Sequence, residues 1–496
     1  MTSDDDKASI SSDSFQELKK KSLAGMGALF VRQILVKVIF FAGNIVLARI
    51  LAPEIFGIYA IVNFIVTFFS TFGDVGIGAA LIQKKGELSQ EELSTTFWLQ
   101  QMLVWSVVAI AIAAAPLALK VYPTLPPVGV WLIRSMALSF LLSSLKTIPA
   151  ILMERSIDFK RIAWVDITEN LAFQAVAISC AFMGFGVWSF ILAAITRALL
   201  GAIIIFSLSP WRPSLQYRFE SVHGLVRFGL PYQSNQVLNF MKDAVTPLFV
   251  GAYVGAAAVG YLNWARNLAF APLMLSDSFG RVAFPAFARL QDDKEILART
   301  IERSIRVLTL LMCPTTAIMV ALGPEITHAV FTNKWLPGMN AYYLYCFTPL
   351  FIGITMPMAT AILSLGRSQS ILVMTFILIG IEWGVGVPAI LKFGFTGIAV
   401  TQPISYILFA GIYRYVLNKH GVKIKLVPNV MVQFIFSAIL CVVLEFVKGL
   451  FDVTISNIVF MTIMAFLIFI SSVFLFSKSL FLEFKQYFIQ ARTMKN

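Results

Sequence analysis

Apolar runs close to twenty residues long follow one another from residue 23 to residue 477, each closed by a short polar or basic stretch. A bilayer core about 30 Å thick needs about 20 residues of helix to cross it. The pattern predicts an all-α, polytopic membrane protein of about fourteen transmembrane helices. The expected spans lie near 23–48, 56–80, 97–119, 130–151, 162–182, 186–209, 227–250, 255–284, 304–331, 340–364, 370–391, 395–417, 428–448 and 455–477.

The basic residues orient this map. With residues 1–22 placed as a cytoplasmic tail, the even-numbered loops and their edges carry eighteen Lys and Arg, the odd-numbered ones five. Positive charge accumulates on the cytoplasmic side of short loops, and one misplaced span would scramble the alternation. Both termini are therefore expected in the cytoplasm. No A-x-A cleavage site follows the first apolar run, which predicts an uncleaved helix. The stretch after Ser479, with Glu483 and Lys485 among aromatic and aliphatic residues, predicts an amphipathic cytoplasmic tail over 478–496.

Composition narrows the function. Hydrophobic residues make up 58% of the 496 positions and charged residues 13%, against roughly 25% charged in soluble domains. The net charge of +13 resides largely in the loops, so it points to topology and no nucleic-acid partner is expected. The four cysteines stand in apolar runs without ligand spacing, and the three histidines are isolated. Neither a metal nor a cofactor is expected. No GxxxxGK[ST] motif occurs, so no P-loop ATPase site is expected.

Polar residues inside the spans carry the candidate chemistry. A helix turns about 100° per residue, so positions i, i+4, i+7 and i+11 share a face. Gln33, Lys37 and Asn44 form such a stripe on span 1, and Asn63, Thr67, Ser70 and Asp74 one on span 2. Asn235, Asn239, Lys242 and Thr246 do so on span 7, and Arg266 and Asp277 on span 8. A shift of 202 or 203 residues superimposes the first pair of stripes on the second, including Gly57-Ile-Tyr59 on the Gly260-Tyr261 region. This predicts two lobes of six helices, 23–209 and 223–417, followed by two additional helices within 428–477. A charge at mid-bilayer costs roughly 2.5–3.5 kcal/mol on insertion scales, so such groups face water, a partner or a ligand. Lys37, Lys242 and Arg266, with Arg32, Arg197, Gln33, Asn235 and Asn239, are the expected substrate-binding residues. Asp74, Asp243 and Asp277 are the candidates for ion coupling. Structural ion pairing is the competing reading for every one of these charges, and Arg134 and Lys146 are also placed to snorkel toward opposite interfaces.

Several stretches are similar to those of the polysaccharide-export flippases of the multidrug/oligosaccharidyl-lipid/polysaccharide exporter superfamily. They are LARILAPEIFGIYA at 47–60, FGDVGIGAALIQKKGELSQEELSTTFWL at 72–99, ERSIDFKRIA at 154–163, GFGVWSF at 184–190, PWRP at 210–213, RFGLPYQSNQVLNF at 227–240, VGYLNWARNLA at 259–269, VAFPAFARLQDD at 282–293 and KWLPGM at 334–339. The resemblance implies two six-helix lobes in a V, alternating access, and location in the bacterial inner membrane. It implies a substrate that is an undecaprenyl-diphosphate-linked oligosaccharide, exported for O-antigen, capsule or exopolysaccharide. Membrane lipids, a polysaccharide polymerase and chain-length or export proteins are the implied partners. The chain departs from the pattern at VTPLFVG, 245–251, where Thr246 replaces a usual Asp and Asp243 stands one turn earlier.

Two other classes compete. A drug antiporter of the same fold would carry an anionic cavity for cationic cargo, which the excess of Lys and Arg in the spans opposes. A polymerase or glycosyltransferase would present catalytic residues on a large outer loop, and no outer loop here exceeds about a dozen residues. No enzymatic activity is expected.

Overall fold

The computed structural model describes residues 32–476 except 74–77, 79–80, 83, 85, 87, 219–235, 239 and 277–278. Asp74, Asn235, Asn239, Asp277 and both terminal tails lie outside the described residues. The described chain is helical, and eleven helical stretches, some made of two consecutive helices, are long and apolar enough to cross a membrane. The chain divides into two compact units, Met1–Ala257 and Ala258–Asn496.

In the first unit, α1 spans Arg32–Ile50 and α2 Pro53–Gly73. Next come α3, Gln90–Ala114, α4, Gly129–Ser144, and α5, Thr147–Arg155. The unit continues with α6, Phe159–Phe182, and α7, Trp188–Leu208. Local chemistry explains these boundaries. Ser89 and Glu92 form a capping box that starts α3. The expected span 130–151 is broken between α4 and α5, because Pro149 cannot donate to the carbonyl four residues earlier. Lys146 sits at that break. Helix α6 is 24 residues long but is not among the eleven; it carries Lys160, Arg161, Asp166 and Glu169.

Small residues let α6 and α7 approach closely. Ala177 and Ala181 of α6 pack with Ala193 and Ala194 of α7, and Leu47 of α1 and Leu51 just after it join them. Two glycines make room for polar side chains of α6. A Cβ at Gly43 would lie 2.2 Å from Gln174 Oε1, and one at Gly201 would lie 1.8 Å from Glu169 Oε1.

On the loop side, Arg155 donates to the carbonyls of Leu81 at 2.5 Å, Lys84 at 2.8 Å and Gly86 at 2.6 Å. The extended segment after α7 lies along α3. Trp98 Nε1 donates to the Ser214 carbonyl at 2.7 Å, and Gln90 Nε2 to that of Arg212 at 2.8 Å. Residues 240–253 also pack within the first unit, where Phe240 stacks on Phe64 with centroids 4.9 Å apart. Pro247 falls in a wide helical turn, Thr246–Val250.

Helix α8, Ala256–Ala269, carries the division between the units. The second unit continues with α9, Phe279–Arg289, α10, Lys294–Ala321, α11, Met339–Cys346, and α12, Thr348–Ser364. Helices α13, Ser368–Gly384, α14, Gly386–Phe393, and α15, Thr396–Lys419, follow. It ends with α16, Val427–Val447, and α17, Ile455–Phe476. The expected continuous span 255–284 is corrected here. After α8 the chain makes a tight turn, Ala271–Leu275, around Pro272, which cannot continue the α-helical hydrogen-bond ladder.

Helix α16 lies parallel to α10 and is tied to it at several levels. Lys425 N donates to Glu302 Oε1 at 2.7 Å, Arg306 Nε to Asn429 Oδ1 at 3.2 Å, Ser437 Oγ to the Cys313 carbonyl at 2.6 Å, and Lys448 Nζ to the Ala321 carbonyl at 3.1 Å. The sequence separation stays between 123 and 127 along the whole pair, which only two helices advancing in the same direction allow. The first of the two additional helices is therefore part of the second unit's core, where Leu440 and Leu444 join Met312 and Cys313.

Both units repeat one aromatic arrangement. Tyr59 stacks on Phe190 at 4.6 Å, and Tyr261 stacks on Phe395 at 5.9 Å. Each contact lies just beyond a turn glycine with positive φ, Gly184 and Gly394.

A charged cluster within the first unit

The candidate site is centred on α6. Asp166 and Glu169 are one turn apart, and each draws cations from other helices. Arg32 Nη1 of α1 lies 2.9 Å from Asp166 Oδ2. Lys146 Nζ, at the α4–α5 break, lies 2.5 Å from Glu169 Oε1, and Arg197 Nε of α7 lies 3.5 Å from Glu169 Oε2. Three cations thus face two anions, a surplus of one positive charge. The Glu169 side chain is 1% exposed, whereas those of Lys146 and Arg197 are 25% and 46% exposed. Close cationic partners offset the cost of burying a carboxylate this deep, and the space beside Gly201 admits it.

The structure brings two expected substrate-binding residues, Arg32 and Arg197, into this cluster, and adds Lys146 and Glu169. Lys146 reaches inward to Glu169 where the sequence also allowed it to snorkel. Arg134 instead lies over the Trp131 ring, 5.0 Å from its centroid. Asp166 and Glu169, three residues apart on one helix, are the signal a sequence offers for such a cluster, but nothing in that spacing names the cations that answer it.

The remaining candidates are distributed over both units. Gln33 and Lys37 are half-buried on α1. Lys242 Nζ lies 3.8 Å from Asp243 Oδ2 in the first unit. Arg266, in the second unit, lies over Phe270, 5.5 Å from the ring centroid. Several stripe residues satisfy themselves within their own helices. Asn44 Nδ2 donates to the Phe40 carbonyl at 2.8 Å, and Ser70 Oγ to that of Thr67 at 2.9 Å, a local competition such side chains commonly make. Glu382 of α13 is a second deeply buried carboxylate, 6% exposed, and accepts from Thr401 Oγ1 of α15 at 3.0 Å. Among the described residues no three His, Cys, Asp or Glu side chains converge as a metal would require.

Two units built of apolar helices, eleven of whose helical stretches are long and apolar enough to cross a bilayer, define a multi-pass membrane protein. The family described as polysaccharide biosynthesis protein matches residues 46–340, more than half of the chain, and the protein belongs to it. The lipopolysaccharide biosynthesis protein WzxC of Escherichia coli (strain K12) is 26% identical over 360 residues, 71% of each chain. The succinoglycan biosynthesis transport protein ExoT of Rhizobium meliloti (strain 1021) is 27% identical over 294 residues, 58% of each chain. Among solved structures, the lipid II flippase MurJ in an inward closed conformation superposes with a TM-score of 0.73 at 15% identity, covering 91% of this chain and 98% of that one. That likeness shows the shared fold.

Proposed function

We propose that the protein is a flippase for undecaprenyl-diphosphate-linked oligosaccharides in the bacterial inner membrane, serving exopolysaccharide, capsule or O-antigen synthesis. The observation that carries this reading is a net-positive charged cluster, Arg32, Lys146 and Arg197 about Asp166 and Glu169, set among apolar helices. Membership of the polysaccharide biosynthesis family, a relative named as a transport protein and the fold of a lipid II flippase support it. A cationic surface suits a diphosphate and repels cationic drugs.

The protein moves its substrate from the cytoplasmic to the periplasmic leaflet by alternating access and leaves it chemically unchanged. Both termini lie in the cytoplasm, in keeping with the basic loops. The polysaccharide polymerase and the chain-length and export proteins would act on the product. Lys37, Lys242, Arg266, Gln33, Asn235 and Asn239 are proposed to add contacts along the substrate path. Asp74, Asp243 and Asp277 are proposed to couple transport to an ion gradient.

The test is reconstitution of the full chain into vesicles carrying a fluorescent undecaprenyl-diphosphate oligosaccharide in the leaflet corresponding to the cytoplasm. Delivery of the label to the opposite leaflet, read by an impermeant quencher and independent of ATP, is the expected result. Delivery no faster than in protein-free vesicles would remove the proposal.

A further inference from the structure

We infer that Lys146 and Arg197, held by Glu169, form the cradle for the diphosphate of the lipid-linked substrate, with Glu169 as the positioning residue. The inference rests on the flippase reading and assigns its anion site to the first unit.

The geometry favours a ligand over a closed ion pair. Arg197 is the tenth of the 21 residues of α7, so it lies near the middle of an apolar helix. It uses only Nε toward Glu169, at 3.5 Å. Its two terminal amino groups have no hydrogen-bond partner among the described residues, and the side chain is 46% exposed. An exposed guanidinium at this depth faces water or an anion, since lipid offers it no acceptor. Lys146 is anchored on the other oxygen of the same carboxylate and is 25% exposed. The two cations are therefore held to one buried acceptor while both side chains remain partly exposed. Arg32, held separately on Asp166 at 2.9 Å, adds positive potential.

The carboxylate explains why such a site can wait empty. Without an anion between them, two cations this close would repel each other and drive the side chains apart. Glu169 halves the charge and fixes both side chains in direction, so binding does not have to order them. A diphosphate carries more charge than one carboxylate and accepts from the Arg fork in a bidentate manner, which Lys does not provide.

The test uses full-length protein in nanodiscs, titrated calorimetrically with farnesyl diphosphate, farnesyl monophosphate and farnesol. The wild type is expected to prefer the diphosphate over farnesol by at least about tenfold. Arg197→Gln and Lys146→Gln are each expected to weaken the diphosphate by about tenfold while leaving farnesol unchanged. Arg197→Lys keeps a partner for Glu169, and so protects folding, yet is expected to lower the diphosphate-to-monophosphate ratio. Glu169→Gln is expected to lower that ratio too, although it removes a negative charge. A purely structural cluster would change thermal stability and leave the ratio alone. Wild-type preference for the diphosphate with unchanged ratios in Arg197→Lys and Lys146→Gln would overturn this assignment and leave the flippase reading intact. Absence of any diphosphate preference in the wild type would overturn both.

Discussion

Gly201 and Glu169 are complementary in space: a methyl group on Gly201 would lie 1.8 Å from the Glu169 carboxylate. Helix α7 gives up a side chain so that α6 can keep a buried charge. Gly201→Ala is expected to destabilise the protein by about 1–3 kcal/mol, as overpacking does. Thermal unfolding of purified protein checks this, and Gly201→Ala combined with Glu169→Ala should be milder than the sum of the single changes. Additive losses would show that the two residues do not share the space.

The cluster should also behave as a coupled unit in stability. Removing Lys146 leaves Glu169 with Arg197 alone, and removing both strands a buried carboxylate. Full burial would make such a loss about 3–5 kcal/mol, and the partial exposure of both cations reduces it to about 1–3 kcal/mol. A double-mutant cycle over Lys146→Gln and Glu169→Gln, read by denaturation in detergent, is expected to give coupling of at least about 0.5 kcal/mol. Zero coupling would separate the two residues.

The parallel run of α16 along α10 places Lys294 and Lys423 on one side of the membrane, and Asp452 on the other. In a cysteine-free background, cysteines at Lys294 and Lys423 should resist an impermeant thiol reagent applied to intact cells. Cysteines at Thr124 and Asp452 should react. Labelling at Lys423 together with protection at Asp452 would invert the orientation argued from the basic loops.

The ties between α10 and α16 should be structural. Asn429→Ala and Ser437→Ala each remove a partner of α10, at a cost of about 1–2 kcal/mol. The expected outcome is reduced abundance in the membrane with export falling in proportion. Normal abundance in the double variant would show that α16 is peripheral.

Arg155 donates to the carbonyls of Leu81, Lys84 and Gly86 from two nitrogens of one planar guanidinium, a spread of acceptors that the single nitrogen of a lysine matches poorly. Arg155→Lys is expected to retain the charge but lose most of this bonding, lowering stability by about 1–3 kcal/mol. Limited proteolysis near residue 86 should accelerate in the variant, and an unchanged cleavage rate would count against the clamp.

Much of the architecture was legible in one dimension. The length of the apolar runs, the capping box at Ser89 and Glu92, and Asp293 starting α10 act over a few residues, so the sequence by itself determines them. The breaks at Pro149 and Pro272 are equally local, although their consequence, a lysine turned inward and a span divided, appears only in the fold. The described stripe residues of spans 1 and 2 lie on helices, where Asn44 and Ser70 bond to their own backbone. Helical periodicity tells which face a residue occupies and not what stands opposite. Asp166 meets Arg32 across 134 residues, and Glu169 meets Lys146 and Arg197 across 23 and 28. Those pairings were settled by tertiary packing, because Gly43 and Gly201 let the neighbouring helices close upon α6, and in a medium of low dielectric constant each buried carboxylate must take whatever cation the packing brings within reach.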